Sequence, residues 1–568
     1  MNIVKRFAVC FLALIWILTS LGCATLFSRP NQITEKGRLS LFPSNTSWPI
    51  HKPVKIYWST NMIPFVEAET DEDCAFAIGV VHAYLRLGQM EIFKRGSAGR
   101  LSESAGPIAT PKIDETLRRL DLGRANEGSY QMLSSDDKIW LEQYIAGINF
   151  FIKQTNELPY EFNFLDIEKE KWTYADSLRI GRLAGGDANW SSLLSFLDLR
   201  KSDGWESAWE KKIENSKESL PTATTTASLD LEKFLSIFTK TGSNSVVVAG
   251  NKSKNEGGLI ASDPHLGIFV PNLWLLMGYK SPSYHTVGYM LPGVPAVTLG
   301  RNKDIAWGGT YMRGTSSHLF EVRPDQITRI RKEVIKRRFW FDKTVEIKES
   351  VLGPVVFEGK DPKTKRQQMI ALNWVGHQPS NELGSFLNAN RSKNWDSFKA
   401  GFKDFAVSGL NITYADKSGN IGFLPAIRQP ILKDNSEYDS LVKSDTNSIE
   451  SYRGPLALPS AFNSRSGFFV SANNMPFVTS PPLARAFAQN DRFKRWSQLL
   501  STNEKISATE LKSWQLDTFS EDSLALSRQI ISELTGAPKE LTEYFNKLKN
   551  WDGFFGIESE GAVAFETL

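Results

Sequence analysis

Cysteine is almost missing from this chain: Cys10, Cys23 and Cys74 are the three in 568 residues. Cys10 and Cys23 lie in a leader-like segment, so no disulfide framework can form, and Cys74 reads as a small buried apolar residue. Histidine is also scarce, six in all. Neither residue type clusters at ligand spacing, which argues against a zinc-type centre. A G-x-S-x-G elbow is absent, which removes the lipase-like serine arrangement. Charge excess is missing too, with 67 basic against 63 acidic residues and a net charge of +4. That balance gives no reason to expect nucleic acid as a partner.

What is present is an ordinary globular composition, 41% hydrophobic and 23% charged, in a chain long enough for a large core. The first residues stand apart. Lys5 and Arg6 precede the apolar run Phe7 to Leu18, followed by Thr19-Ser20-Leu21-Gly22-Cys23. The run is short for a membrane span and has the form of a signal peptide over 1–23. Gly22-Cys23 is similar to the end of a bacterial lipoprotein signal, although Ser20 stands where an aliphatic residue is usual. A lipid anchor on Cys23 and plain cleavage nearby both stay open. Each predicts an exported protein, periplasmic or lipid-anchored in a Gram-negative envelope.

Along the chain, Val54 to Trp58 reads as a strand. Asp71-Glu72-Asp73 opens a helix through Val80, Tyr84 and Met90, with His82 as a packed helix residue, and Asp136 to Lys153 is a second helix. Asp176 or Ser177 is placed to cap the helix that follows. Residues 201–228 turn polar, with Lys211, Lys212, Glu214, Lys217 and Glu218 before Pro221-Thr222-Ala223-Thr224-Thr225-Thr226-Ala227, the composition of a linker. From Ser243 onward, short apolar runs alternate with Gly, Pro and Asn-Lys-Asp turns, and helices return at Asp491 to Leu500 and Ala508 to Asp517. Arg329, Arg331, Lys332, Lys336, Arg337, Arg338 and Lys343 form a basic run. It reads as a solvated edge hairpin, with contact to anionic envelope lipid as the alternative.

The stretch Thr241-Gly242-Ser243-Asn244-Ser245-Val246-Val247-Val248-Ala249-Gly250 organises the rest. Alone it is a turn leading into a buried strand. Downstream come Asp263-Pro264-His265-Leu266-Gly267, Leu291-Pro292-Gly293-Val294-Pro295, Gly300-Arg301-Asn302, Ile305-Ala306-Trp307-Gly308 and Ser471-Ala472-Asn473-Asn474-Met475-Pro476. In this order and spacing the set resembles the penicillin acylase family of N-terminal-nucleophile (Ntn) hydrolases.

The resemblance implies an α+β fold, a four-layer αββα sandwich. It implies a mainly helical small chain over 24–200, a spacer over 201–242 and a large chain over 243–568, the two chains remaining together as a heterodimer after self-cleavage between Gly242 and Ser243. Ser243 would then be both chain start and nucleophile. A serine hydroxyl needs a base, and a freed α-amine, with a reference pKa of about 7.7–8.0, can supply one. Gly242 would give the backbone freedom and the room that the cleavage needs. The match places the backbone N–H of Tyr311 and the side chain of Asn473 as oxyanion donors, His265 beside the Ser243 amine, and Arg492 as the group that holds the nucleophile and Asn473. Gly181 to Trp190 falls where family members line an acyl pocket.

The expected substrate is an acylated small-molecule amide, with β-lactams, N-acyl homoserine lactones and other acyl amines left open. The competing reading is a non-catalytic envelope lipoprotein that keeps the fold for binding. No cofactor is expected. The family's calcium uses acidic residues where this chain has Thr315, His318 and Ala484, so the usual calcium site is expected to be absent. Finally, Trp551-Asp552-Gly553 resembles a family motif, and Ser559 to Leu568 reads as the start of a helix with Val563, Phe565 and Leu568 as its apolar groups. Family members continue beyond this motif, so the large chain is expected to be incomplete.

Overall fold

The computed structural model describes residues 34–567 except 45–46, 107–109, 156, 188, 201–203, 216–241, 268–269, 362–364, 434–439, 444–447, 485–489 and 534–540. The leader, Thr241 and the Pro221–Ala227 stretch therefore lie outside the described residues. Helix α1 (Asp71–Ser97) begins where Thr70 accepts the Asp73 N–H, with three acids in its first turn. Its side chains are buried nearly all round, Cys74, Phe76, Val80, Leu87 and Met90 among them. It is therefore a core helix rather than an amphipathic one. Helix α2 (Ser135–Gln154) packs along it. His82 is a packing residue, as read from the sequence: Nδ1 meets the Tyr144 hydroxyl at 2.8 Å, and burial pulls its pKa down to about 3. Burial likewise pushes the Cys74 thiol up.

Two local expectations need correction. The helix after Trp172 runs Tyr174–Ala184, one turn earlier than a cap at Asp176 or Ser177 allows. Asp176 instead sits inside the first turn and accepts the Thr173 N–H at 2.9 Å, and Ser177 Oγ accepts from Trp172 Nε1 at 3.0 Å. The polar stretch after residue 200, of linker composition, also contains a helix, Trp205–Asn215. Trp209 anchors it, buried with its ring centroid 4.9 Å from that of Phe196.

Two of the sheets formed by the described residues are stacked face to face. β1 (Gly242–Val248) is the middle strand of a three-stranded antiparallel sheet, between β2 (Leu259–His265) and β7 (Phe468–Ser471). A nine-stranded sheet runs from Lys55–Trp58 at one edge to Ala461–Phe462 at the other, with β3 (Ile305–Tyr311) and β6 (Leu410–Asp416) paired inside it. The period of two along β1 decides what faces what. Val246 and Val248 pack with Trp496, Leu500, Ile506 and Leu511, on and between helices α3 (Asp491–Thr502) and α4 (Ala508–Trp514). Val247 faces Ala415 and Ile421 of the large sheet. On that sheet's other side, Trp307, Ile412 and Tyr414 join the main core with α1 and α2. The order is helices, nine strands, three strands, helices, the four-layer α+β sandwich expected.

Between the sheets the contacts are small and polar. Ser245 Oγ meets Thr413 Oγ1 at 2.6 Å, Thr310 Oγ1 meets Ser471 Oγ at 2.8 Å, and Ser262 Oγ accepts the Gly309 N–H at 3.2 Å. A Cβ on Gly308 would lie 2.6 Å from Ser262 Cβ and 2.8 Å from Ser245 Oγ. Glycine there sets the sheet spacing, and the buried hydroxyls satisfy one another. A further six-stranded sheet carries the basic run on its edge hairpin, β4 (Ile327–Ile335) and β5 (Lys343–Ser350). That run is only partly solvated, since Arg331 reaches Glu349 at 2.6 Å and Lys343 reaches Glu115 at 2.7 Å.

Candidate active site

The alternation that turns Val247 toward the large sheet turns Ser243 the same way, and leaves Gly242 and Asn244 facing α3. Ser243 is fully buried, at 0% exposure. Its Oγ donates to the Gly242 carbonyl oxygen at 2.6 Å, and its N–H donates to Asn473 Oδ1 at 2.7 Å. Asn473 lies just past β7 with φ +65°, a left-handed conformation that asparagine tolerates better than most residues. Its Nδ2 donates to the Tyr311 carbonyl at 2.7 Å. These partners fix which end of the amide is oxygen.

Tyr311 ends β3 opposite Leu410, and the next residue, Met312, donates its N–H to Gly409 at 2.9 Å. Antiparallel alternation then turns both the N–H and the C=O of Tyr311 away from β6, toward the edge where Asn473 sits. The Tyr311 phenol donates to the Gly186 carbonyl and so ties this edge to the helical unit.

Arg492, in the first turn of α3, gathers the rest. Nη1 donates to Ser243 O and Asn244 Oδ1, both at 2.7 Å, and Nη2 donates to Ala472 O at 2.9 Å and Asn473 Oδ1 at 3.1 Å. One planar fork thus clamps β1 to the turn after β7. Burial lowers its pKa, an effect opposed by Asp491 and Asp263. His265 pairs with Asp263 at 2.7 Å and lies 3.3 Å from Asn244 Nδ2. It is not hydrogen-bonded to Ser243, whose N–H is taken by Asn473. It borders Gly242, where an added Cβ would be 3.1 Å from Arg492 Nη2 and 3.2 Å from His265 Nδ1. Gly242 is extended, outside the left-handed region. Its use is close approach, not backbone freedom.

Sequence reasoning passed over Asn244 and Asp263, which join His265 to Arg492. It also passed over Asp187. This buried carboxylate accepts the Asn189 N–H at 2.8 Å and the Ser316 hydroxyl at 2.7 Å, and burial raises its pKa. It lies beside Thr315, whose N–H reaches Leu483 O at 2.8 Å, so the segments around Thr315 and Ala484 do meet. One carboxylate with its oxygens already engaged does not fit calcium, which needs several oxygen ligands. Among the described residues no three His, Cys, Asp or Glu side chains group to hold a metal.

Next to Tyr311 opens an apolar cavity of ≈ 1100 Å³, its open mouth included, lined by Leu178, Leu273, Trp274, Leu291, Val294 and Phe386. Gly181, Ala184 and Gly185 contribute to its wall, within the segment expected to line a pocket.

The layered α+β fold, with a buried Gly-Ser peptide between its sheets, matches the family to which the sequence motifs point. The chain belongs to the penicillin amidase family, whose model matches residues 53–568. It is 24% identical to the acyl-homoserine lactone acylase QuiP of Pseudomonas aeruginosa, over 89% of this chain and 66% of that protein. It is 24% identical to the penicillin acylase 2 proenzyme of Pseudomonas sp. (strain SE83), over 91% and 71%. To the penicillin G acylase of Escherichia coli it is 22% identical, over 89% and 70%. The chain thus spans about two thirds of the length of these relatives. Among solved structures, the thermostable penicillin G acylase of Alcaligenes faecalis aligns at 20% identity and a TM-score of 0.44, over 55% of this chain and 59% of that one.

The four bonds of Arg492 set an expectation. Arg492→Lys keeps the charge but cannot bridge both strands, and it leaves buried acceptors unmet, at about 1–3 kcal/mol each. The variant is expected to unfold earlier in a thermal melt. A melt matching wild type would remove Arg492 from this role.

Proposed function

We propose that the protein is a self-processing amidohydrolase that cleaves a linear amide of an acylated small molecule through an acyl-Ser243 intermediate. The observation that carries the reading is the Gly242–Ser243 peptide. Its hydroxyl lies 2.6 Å from the preceding carbonyl oxygen, its N–H is held by Asn473 and the Ser243 carbonyl by Arg492. In processing, Ser243 Oγ attacks the Gly242 carbonyl carbon, the Gly242–Ser243 C–N bond breaks, and an ester forms with the amine released. Water then cleaves that ester, leaving a Gly242 carboxylate and a free Ser243 amine.

In the mature protein that amine takes the hydroxyl proton, through a water, as Oγ attacks the substrate carbonyl. The developing oxyanion is met by the Tyr311 N–H and by Asn473 Nδ2. The proton passes to the leaving amine, and water hydrolyses the acyl-serine to the carboxylic acid. Asn473 Oδ1 and Arg492 keep the amine and its strand in place, and His265, through Asp263 and Asn244, stiffens the same corner. No metal enters these steps.

The names of the relatives support acyl amides as the substrate class. The cavity beside Tyr311 supports an apolar acyl group. The helical unit stays with the large chain after cutting because they share one core, for example through the 2.8 Å bond from Trp140 Nε1 to Pro295 O. Export with a lipid on Cys23 is part of the same proposal.

Burial of a methylene is worth about 0.8 kcal/mol. For a series of straight-chain acyl amides, kcat/KM is expected to rise roughly threefold to fourfold per added CH₂ until the cavity is full. The test is that series against purified protein shown to contain a chain starting at Ser243. A processed protein that hydrolyses none of them supports a binding module instead.

A further inference from the structure

The β4–β5 hairpin ends in three consecutive aromatic residues that the described residues leave largely exposed. Phe339, Trp340 and Phe341 are 81%, 61% and 83% exposed. The turn that presents them is held in shape. Arg337 Nε donates to Phe341 O at 2.5 Å, and the Trp340 N–H reaches Arg337 O at 3.2 Å. Arg338 clasps the hairpin to the helical unit, through its N–H to Ser102 O at 2.9 Å and Nη1 to Phe164 O at 3.1 Å. Phe164 and Tyr160, stacked at 5.7 Å and also exposed, extend the aromatic surface.

The residues of the tip itself carry more basic than acidic groups. Lys336, Arg337 and Arg338 face one acid, Asp342. Arg337 and Arg338 spend the hydrogen bonds above on neutral carbonyls, and among the described residues neither forms an ion pair, unlike Arg331 and Lys343 further along. A rigid tip with aromatic rings outermost and cations just behind them suits the interface of an anionic bilayer, where rings sit at headgroup level and cations meet lipid phosphates. A second copy of the same tip suits it poorly, because like charges would be brought together.

We propose that this hairpin tip docks the protein on an anionic lipid surface, independently of any lipid on Cys23 and of the amidohydrolase reading. The test is flotation of the full chain carrying Cys23→Ser with phosphatidylethanolamine vesicles, with and without phosphatidylglycerol. The protein is expected to float with the phosphatidylglycerol vesicles and to be released by high salt, which screens the cations. Trp340→Ser with Phe341→Ser should cut the bound fraction at least tenfold, and Lys336→Glu alone should cut it severalfold. All three positions are exposed, so thermal midpoints should stay at wild type. Failure of the parent chain to float with phosphatidylglycerol vesicles overturns the proposal, as does equal binding by the aromatic variant. A dimer in light scattering that the same aromatic substitutions abolish, with no vesicle binding, would show that a second copy covers the tip and would overturn it equally.

Discussion

Ser243→Ala is expected to yield a single chain uncut across the Gly242–Ser243 bond, and wild type to yield a second chain whose first residue is Ser243. The effect is expected to be all or nothing on the timescale of expression, because the variant removes the attacking atom. Water is a poor substitute. The peptide lies between two sheets with Ser243 fully buried, and among the described residues the one hydroxyl on the Gly242 carbonyl is that of Ser243 itself. The fold should survive the change, since Ser243 Oγ bonds its own neighbour and ties no two elements together. The check is intact-mass spectrometry and N-terminal sequencing of both proteins, with a thermal melt to show that the variant is folded. A wild-type chain that starts elsewhere, or a Ser243→Ala protein cut at the same bond, would end this mechanism. Gly242→Ala gives a graded version. The added methyl must displace Arg492 Nη2 and His265 Nδ1 at 3.1 and 3.2 Å, so cleavage should slow without vanishing.

The elements that the sequence makes legible are those with one dominant signal. The valine run of β1, the acid-opened α1 and the turn-bounded strands of the large sheet fall where hydrophobic period and turn residues put them. The site is legible in a different way. Ser243, His265, Tyr311, Asn473 and Arg492 are spread over 250 positions and no local spacing joins them; the motif resemblance supplied the set, and the fold shows how strand alternation brings it together. What stayed hidden has physical reasons. The Trp205–Asn215 helix is masked by charged residues, with Trp209 as its buried anchor. The hydroxyl contacts of Ser245, Ser262, Thr310, Thr413 and Ser471 look like ordinary strand polarity until two sheets face each other. Asp187 is an isolated carboxylate in sequence and acquires meaning only beside Ser316. Val563, read as an apolar helix contact, is exposed, while Ala562 and Ala564 are buried and Phe565 stacks on Trp551.

Asn473→Ala is expected to lower turnover per processed molecule on the order of a hundredfold or more, the scale for loss of one oxyanion donor. The change has a structural effect as well. Asn473 is buried and makes three contacts, to the Ser243 N–H, Arg492 and the Tyr311 carbonyl. Alanine removes the acceptor of the Ser243 N–H, the Asn473 donor to the Tyr311 carbonyl and one of the four acceptors of Arg492, and an unmet buried group costs about 1–3 kcal/mol. Alanine is therefore expected to lower the unfolding midpoint and the yield of processed protein as well, which mixes a structural loss with a catalytic one. Asn473→Asp separates them. The carboxylate keeps an oxygen where Oδ1 accepts from Ser243 and Arg492, and adds a charge that Arg492 can meet. It removes the Nδ2 donor and sets an acceptor against the Tyr311 carbonyl. If Asn473 served only to hold the turn after β7 against β1, aspartate should retain much more turnover than alanine. If its amide donates to the oxyanion, aspartate should be at least as inactive as alanine while recovering part of the processing yield. The measurement is kcat on an acyl amide, normalised to the amount of chain beginning at Ser243, for wild type and both variants. Near-normal turnover in a processed alanine variant would exclude the donor role.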